Sequence, residues 1–92
     1  MNTQITVAAA QIECALLKPH INFGRALPLI KAAAERNAEL IVFPELFDVG
    51  YDMKALSYFQ YNTEHMLEML SEAAGKYGIY IQWSKLWEIK MF

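Results

Sequence analysis

The sequence predicts an α/β fold in the order strand, helix, strand, helix, strand. Two short apolar stretches, residues 5–12 and 39–43, each precede a longer stretch whose apolar residues recur every three or four positions, and a third short stretch begins at residue 79. Strands that alternate with helices in this way pair in parallel through right-handed crossovers.

Residues 5–12 (ITVAAAQI) are the first expected strand, and their almost unbroken apolar run is that of a strand buried on both faces of a sheet. After a loop containing Pro19, Asn22 is placed to cap a helix over residues 23–37, in which Ala26, Leu29, Ile30, Ala33 and Ala34 share one face. Pro28 falls inside that pattern. A proline there removes a hydrogen bond and clashes with the preceding turn, at a cost of about 3 kcal/mol, so the helix is expected to kink at Pro28 or to begin near Leu27.

Residues 39–43 (ELIVF) form the second strand, which Pro44 ends because it has no N–H for a sheet ladder. From 46 to 61 no period holds. Gly50 and the aromatic Phe47, Tyr51, Tyr58, Phe59 and Tyr61 suggest a long, partly buried loop there. Helical spacing returns over 63–77, with Met66, Met69, Leu70, Ala73, Ala74 and Tyr77 on one face and Glu64, Glu68, Glu72 and Lys76 on the other. Gly78 is the expected C-terminal cap, and the third strand starts at 79–81 (IYI). The last eleven residues, QWSKLWEIKMF, are rich in apolar and aromatic side chains but show no period. Without repeats or a Pro/Gly/Ser linker, residues 1–92 read as one domain.

A chain of 92 residues has only a thin core of its own. Yet 55% of its residues are hydrophobic, which excludes a disordered chain and leaves apolar surface in search of cover. The formal charge of −2 produces no field that would recruit nucleic acid or an anionic membrane. No basic segment precedes the first apolar run, and no apolar run approaches the about 20 residues that span a bilayer. A cytoplasmic protein is therefore expected, and the single cysteine, Cys14, fits a reducing compartment.

Glu45 lies just past the C-terminal end of the second strand, the place where parallel α/β folds gather reactive groups. By position alone it reads as a solvated loop carboxylate. The run AAAERNAELIVFPELFDVGY around it, residues 32–51, is more specific. It resembles the first signature block of the nitrilase, or carbon–nitrogen hydrolase, family, with Ala38, Leu40, Ile41, Val42, Phe43, Pro44, Glu45, Gly50 and Tyr51 in order. Val7, Ala8, Ala10 and Gln11 resemble that family's first strand, Asn22 resembles the asparagine that begins its first helix, and KYGIYI (76–81) resembles its next helix and strand. The similarity covers about positions 4–81, with a divergent tail at 82–92.

The resemblance implies an incomplete portion, β-α-β-α-β, of a nitrilase-type α-β-β-α sandwich. It also implies hydrolysis of a non-peptide C–N bond in an amide, nitrile or N-carbamoyl compound by a glutamate, a lysine and a cysteine. Only the glutamate transfers, as Glu45. The chain ends before the family's lysine and cysteine motifs, so a truncated or frameshifted hydrolase, inactive alone, is expected. Losing such a nucleophile costs on the order of 10⁶ in turnover. Cys14 lies where the family has no nucleophile, and Lys85 and Lys90 read as solvated tail residues. His20 and His65 show no metal-ligand spacing, and no phosphate-binding glycine loop is present, so neither metal nor cofactor is expected. An alternative is a non-catalytic interaction module that docks on itself or on a full-length paralogue through its surplus apolar surface.

Overall fold

The computed structural model describes residues 4–50, 63–85 and 88–91. Among these it contains β1 (Val7–Ala9), α1 (Pro19–Glu35), β2 (Leu40–Val42), α2 (Thr63–Tyr77), β3 (Tyr80–Lys85) and β4 (Glu88–Met91). The strands form one sheet in the order β1-β2-β3-β4, in which the first three are parallel and β4 runs antiparallel to β3. The α/β fold expected from the sequence is therefore present, with one strand more. Most of the expected loop over 46–61, including Tyr51, Tyr58, Phe59 and Tyr61, lies outside the described residues.

Register explains the layering. Ala8, Ile41 and Ile81 are aligned across the three parallel strands and face the helices. Ile41 and Ile81 are fully buried there against Ala26, Ile30 and Ala33 of α1 and Met66, Leu70 and Ala73 of α2. The neighbouring row, Val7, Leu40 and Tyr80, falls on the opposite face because side chains alternate along a strand. That face is open: Val7 is 48% and Tyr80 65% exposed. Burial on both faces, expected for the first strand, is thus corrected, since both helices lie on one side of the sheet and no described element covers the other.

α1 begins four residues earlier than the capping pattern implied. Pro19 occupies its first turn, where a missing N–H costs nothing, and Lys18 at the N-cap makes no side-chain cap bond. Asn22 lies inside the helix and is buried, so its expected role as N-cap is overturned. Pro28 is tolerated within one helix that neither stops nor starts there. It and Gly24, whose carbonyl loses the bond, are both exposed, so water can serve that carbonyl.

Both helices end alike. Asn37, at φ 62°, donates to Ala34 O while Ala38 N–H reaches back to Ala33 O. Gly78, at φ 64°, plays the same part after α2, with Ile79 N–H bonded to Ala74 O. A left-handed residue there satisfies last-turn carbonyls and turns the chain directly into the next strand.

The eleven-residue tail does not interrupt the sheet. β3 continues through Trp83, which is fully buried in the core, and β4 returns beside it with Lys90 opposite Trp83. A single buried aromatic of this size contributes more than any aliphatic of the core.

Candidate active site

Glu45 is mounted on a turn that follows β2 without an intervening linker. Phe43 N–H bonds Gln82 O, Pro44 ends the ladder, and residues 45–49 turn. Pro44 and Glu45 are exposed, whereas every residue from 46 to 50 is buried. The chain therefore presents one carboxylate to solvent from a base packed into the core. Phe43 and Phe47 stack beneath it, with ring centroids 4.6 Å apart.

Four fastenings hold this base. Leu46, in the left-handed region at φ 56°, donates its N–H to Ser84 O of β3 at 3.0 Å. Asp48, almost fully buried, accepts a hydrogen bond from the indole N–H of Trp83 at 3.1 Å. Asn22 provides the third: its Nδ2 donates to Asp48 O (2.7 Å) and Ala15 O (2.8 Å), and its Oδ1 accepts from Ala15 N–H (2.6 Å). One amide thus joins the β1–α1 loop, α1 and the Glu45 turn. Leu17 N–H bonds Val49 O at 2.8 Å across the same seam. Gly50, at φ 83°, is required by its left-handed backbone, and a Cβ there would also stand 3.1 Å from Leu16 Cδ1, which would have to give way.

Cys14 lies on the same β1–α1 loop, partly buried, with its Sγ 3.8 Å from Ile12 O. Burial pushes its thiol pKa up, the negative charge of Asp48 adds to that, and Arg25 opposes both. A thiol held protonated is a poor nucleophile. Lys85 and Lys90 belong to β3 and β4. His20 and His65, far apart in sequence, are brought into ring contact.

Reading the sequence missed Asp48 and Trp83 as partners and mistook what Asn22 does. The one signal for Asp48 was its place as a lone acid between Phe47 and Val49, both apolar. Burial needed for a carboxylate to work as acid and base is not supplied to Glu45 by the described residues, since it stands exposed.

Comparison with known proteins agrees with this geometry. The family model for carbon–nitrogen hydrolases matches residues 6–84. The chain is 32% identical over 83 residues to an omega-amidase of Danio rerio, covering 86% of this chain and 28% of that protein. Over 50 residues it is 42% identical to a nitrilase of Pyrococcus abyssi, covering 54% of this chain and 19% of that one. Among solved structures, it is similar to an amidase from Nesterenkonia sp. AN1, a glutamate-to-glutamine variant whose active-site cysteine has added acrylamide. There the TM-score is 0.79 at 25% identity, over 87% of this chain and 32% of the amidase. The 92 residues thus span between a fifth and a third of the relatives they match. With a family match that runs from the first strand through Trp83, the chain belongs to the carbon–nitrogen hydrolase family.

Proposed function

We propose that these 92 residues are the N-terminal part of a carbon–nitrogen hydrolase domain and contribute its catalytic carboxylate, Glu45. The substrate class is a small amide, nitrile or N-carbamoyl compound. The observation that supports this reading is the turn itself, a single exposed carboxylate at the C-terminal end of a parallel strand, on a base locked to two other segments. In the reaction, a cysteine thiol gives its proton to Glu45 as sulfur attacks the carbon of the substrate. With an amide, Glu45 returns that proton to the leaving amine, and water then cleaves the thioester with the same carboxylate as base; a nitrile first gives a thioimidate, which takes up water before ammonia leaves. A lysine beside the oxyanion stabilises the charged intermediate more than the substrate. Lysine and cysteine come from sequence outside these 92 residues, which form one incomplete domain and are inactive alone.

The setting is cytoplasmic in this reading, supported by the lone Cys14. Among the described residues no helix is long and apolar enough to cross a membrane. The test begins with the gene downstream of the Phe92 codon. A reading frame there that carries lysine and cysteine motifs, expressed with this chain, is expected to hydrolyse amides or nitriles, and Glu45→Gln is expected to abolish the activity. Absence of such motifs, or activity indifferent to Glu45→Gln, overturns the reading. So does activity of the 92-residue chain alone that survives Cys14→Ala but not Glu45→Gln.

A second reading is favoured by the bare sheet face of Val7, Leu40 and Tyr80. In it the chain is an interaction module that docks on itself or on a full-length paralogue. Sizing experiments separate the two: a concentration-independent monomer of ordinary solubility counts against the module.

A further inference from the structure

We propose that His20 and His65 form an open two-imidazole site for a divalent transition-metal ion of the zinc, nickel or copper kind, joining the first turn of α1 to the first turn of α2. His20 is the second residue of α1 and His65 the third of α2, and both are exposed, so an ion reaches them directly from solvent. Their ring centroids are 5.4 Å apart. Two imidazoles on one tetrahedral ion, with metal–nitrogen bonds of about 2.0–2.1 Å, place their centroids roughly 5 Å apart. Little movement separates the two arrangements.

The rings are inclined by 56°. Flat stacking would confine the in-plane nitrogen lone pairs to parallel planes that never meet, whereas inclined planes intersect and can share a donor point. The spacing is also held in advance, because α1 and α2 pack together, with Ala26 of α1 and Met66, next to His65, buried in their shared core. The site lies on packed helices, so binding orders no loop.

Ligand chemistry selects the ion. Imidazole nitrogen suits zinc, nickel and copper, while magnesium and calcium require oxygen ligands. Among the described residues no group of three or more histidine, cysteine or carboxylate side chains converges, so water or an external ligand fills the remaining positions. Glu64 and Glu68, exposed beside His65 on α2, make the surroundings acidic. The partial positive charge of two helix N-termini works the other way. Bound metal would tie the helices together and raise the stability of the folded chain by mass action.

The experiment is a calorimetric titration of the 92-residue chain with Zn²⁺ and with Ni²⁺, paired with thermal melts. One ion per chain and a rise in Tm are expected, with no response to Mg²⁺. His20→Ala and His65→Ala are each expected to weaken binding by about tenfold or more and to cancel the rise in Tm. Cys14→Ser, which removes the other soft ligand, is expected to change nothing. Should an alanine variant fold poorly, His20→Gln and His65→Gln replace it, and copper(II) resonance spectra of the wild type should show two imidazole nitrogens. Binding retained in either histidine variant, binding lost with Cys14→Ser, or no binding at millimolar ion overturns the site.

Discussion

The indole N–H of Trp83 donates to the Oδ1 of Asp48 over 3.1 Å, with both side chains shut away from solvent. This bond crosses from β3 to the turn that holds Glu45, so it links the sheet's third strand to the proposed catalytic carboxylate. Trp83→Phe keeps most of the ring volume and removes the donor. The expected loss is about 1–3 kcal/mol, the range for depriving a buried polar group of a partner, and Trp83→Ala is expected to lose about 3–5 kcal/mol. Urea denaturation of both variants checks the order.

Asn22 offers a sharper discrimination. A helix N-cap replaced by alanine costs about 1 kcal/mol. Asn22 instead makes three side-chain hydrogen bonds to the backbone of two other segments, so Asn22→Ala is expected to cost about 3 kcal/mol, several bonds' worth. A loss of only about 1 kcal/mol in denaturant titration would return the residue to capping.

Gly50→Ala is expected to destabilise by about 1–2 kcal/mol through its left-handed backbone alone, with the approach to Leu16 adding to it. Combining it with Leu16→Ala should recover the steric part and leave the backbone part. The two contributions separate in a double-mutant cycle.

Glu45→Gln should leave stability within about 0.5 kcal/mol of the parent, because the side chain is exposed. Unchanged melting, together with lost hydrolysis in the completed enzyme, is the pattern of a residue kept for chemistry.

Cys14 is expected to react slowly with iodoacetamide at neutral pH, and the midpoint of its alkylation profile should lie above the ordinary thiol value. Asp48→Asn removes the second-largest cause and should bring the midpoint down. The sign for stability follows. The folded chain holds the thiol proton more tightly than the unfolded one, so this stabilisation is complete below the ordinary thiol pKa and is lost as pH rises through the raised value.

Much of this architecture was legible in the chain itself. Two amphipathic helices and three apolar strands follow from spacing, and Gly78 marks the end of α2 by the φ it adopts. The start of α1 was not legible, because asparagine is equally suited to a cap and to a buried clamp and only its distant partners decide. Those partners, Ala15 and Asp48, lie in other segments. β4 escaped notice because a four-residue edge strand has too few positions to show a period, and its pairing with β3 defines it. The bare face of β1 escaped for a different reason: an apolar run states that a strand prefers cover without stating that cover is present. Glu45 itself was legible through the block around it, whereas its mounting by Asn22, Asp48 and Trp83 required coordinates.

The bond from Trp83 to Asp48 spans 35 residues of sequence, and Leu46 is fastened to Ser84 across a similar interval. During synthesis the Glu45 turn can join Asn22 and Leu17, which are already made, but must wait for β3 before its fastening is complete. A nascent chain that stalls before Trp83 would hold Glu45 on a turn tied only to the β1–α1 side, without its bonds to β3. The order of translation, as well as the final contacts, governs when this carboxylate acquires its place.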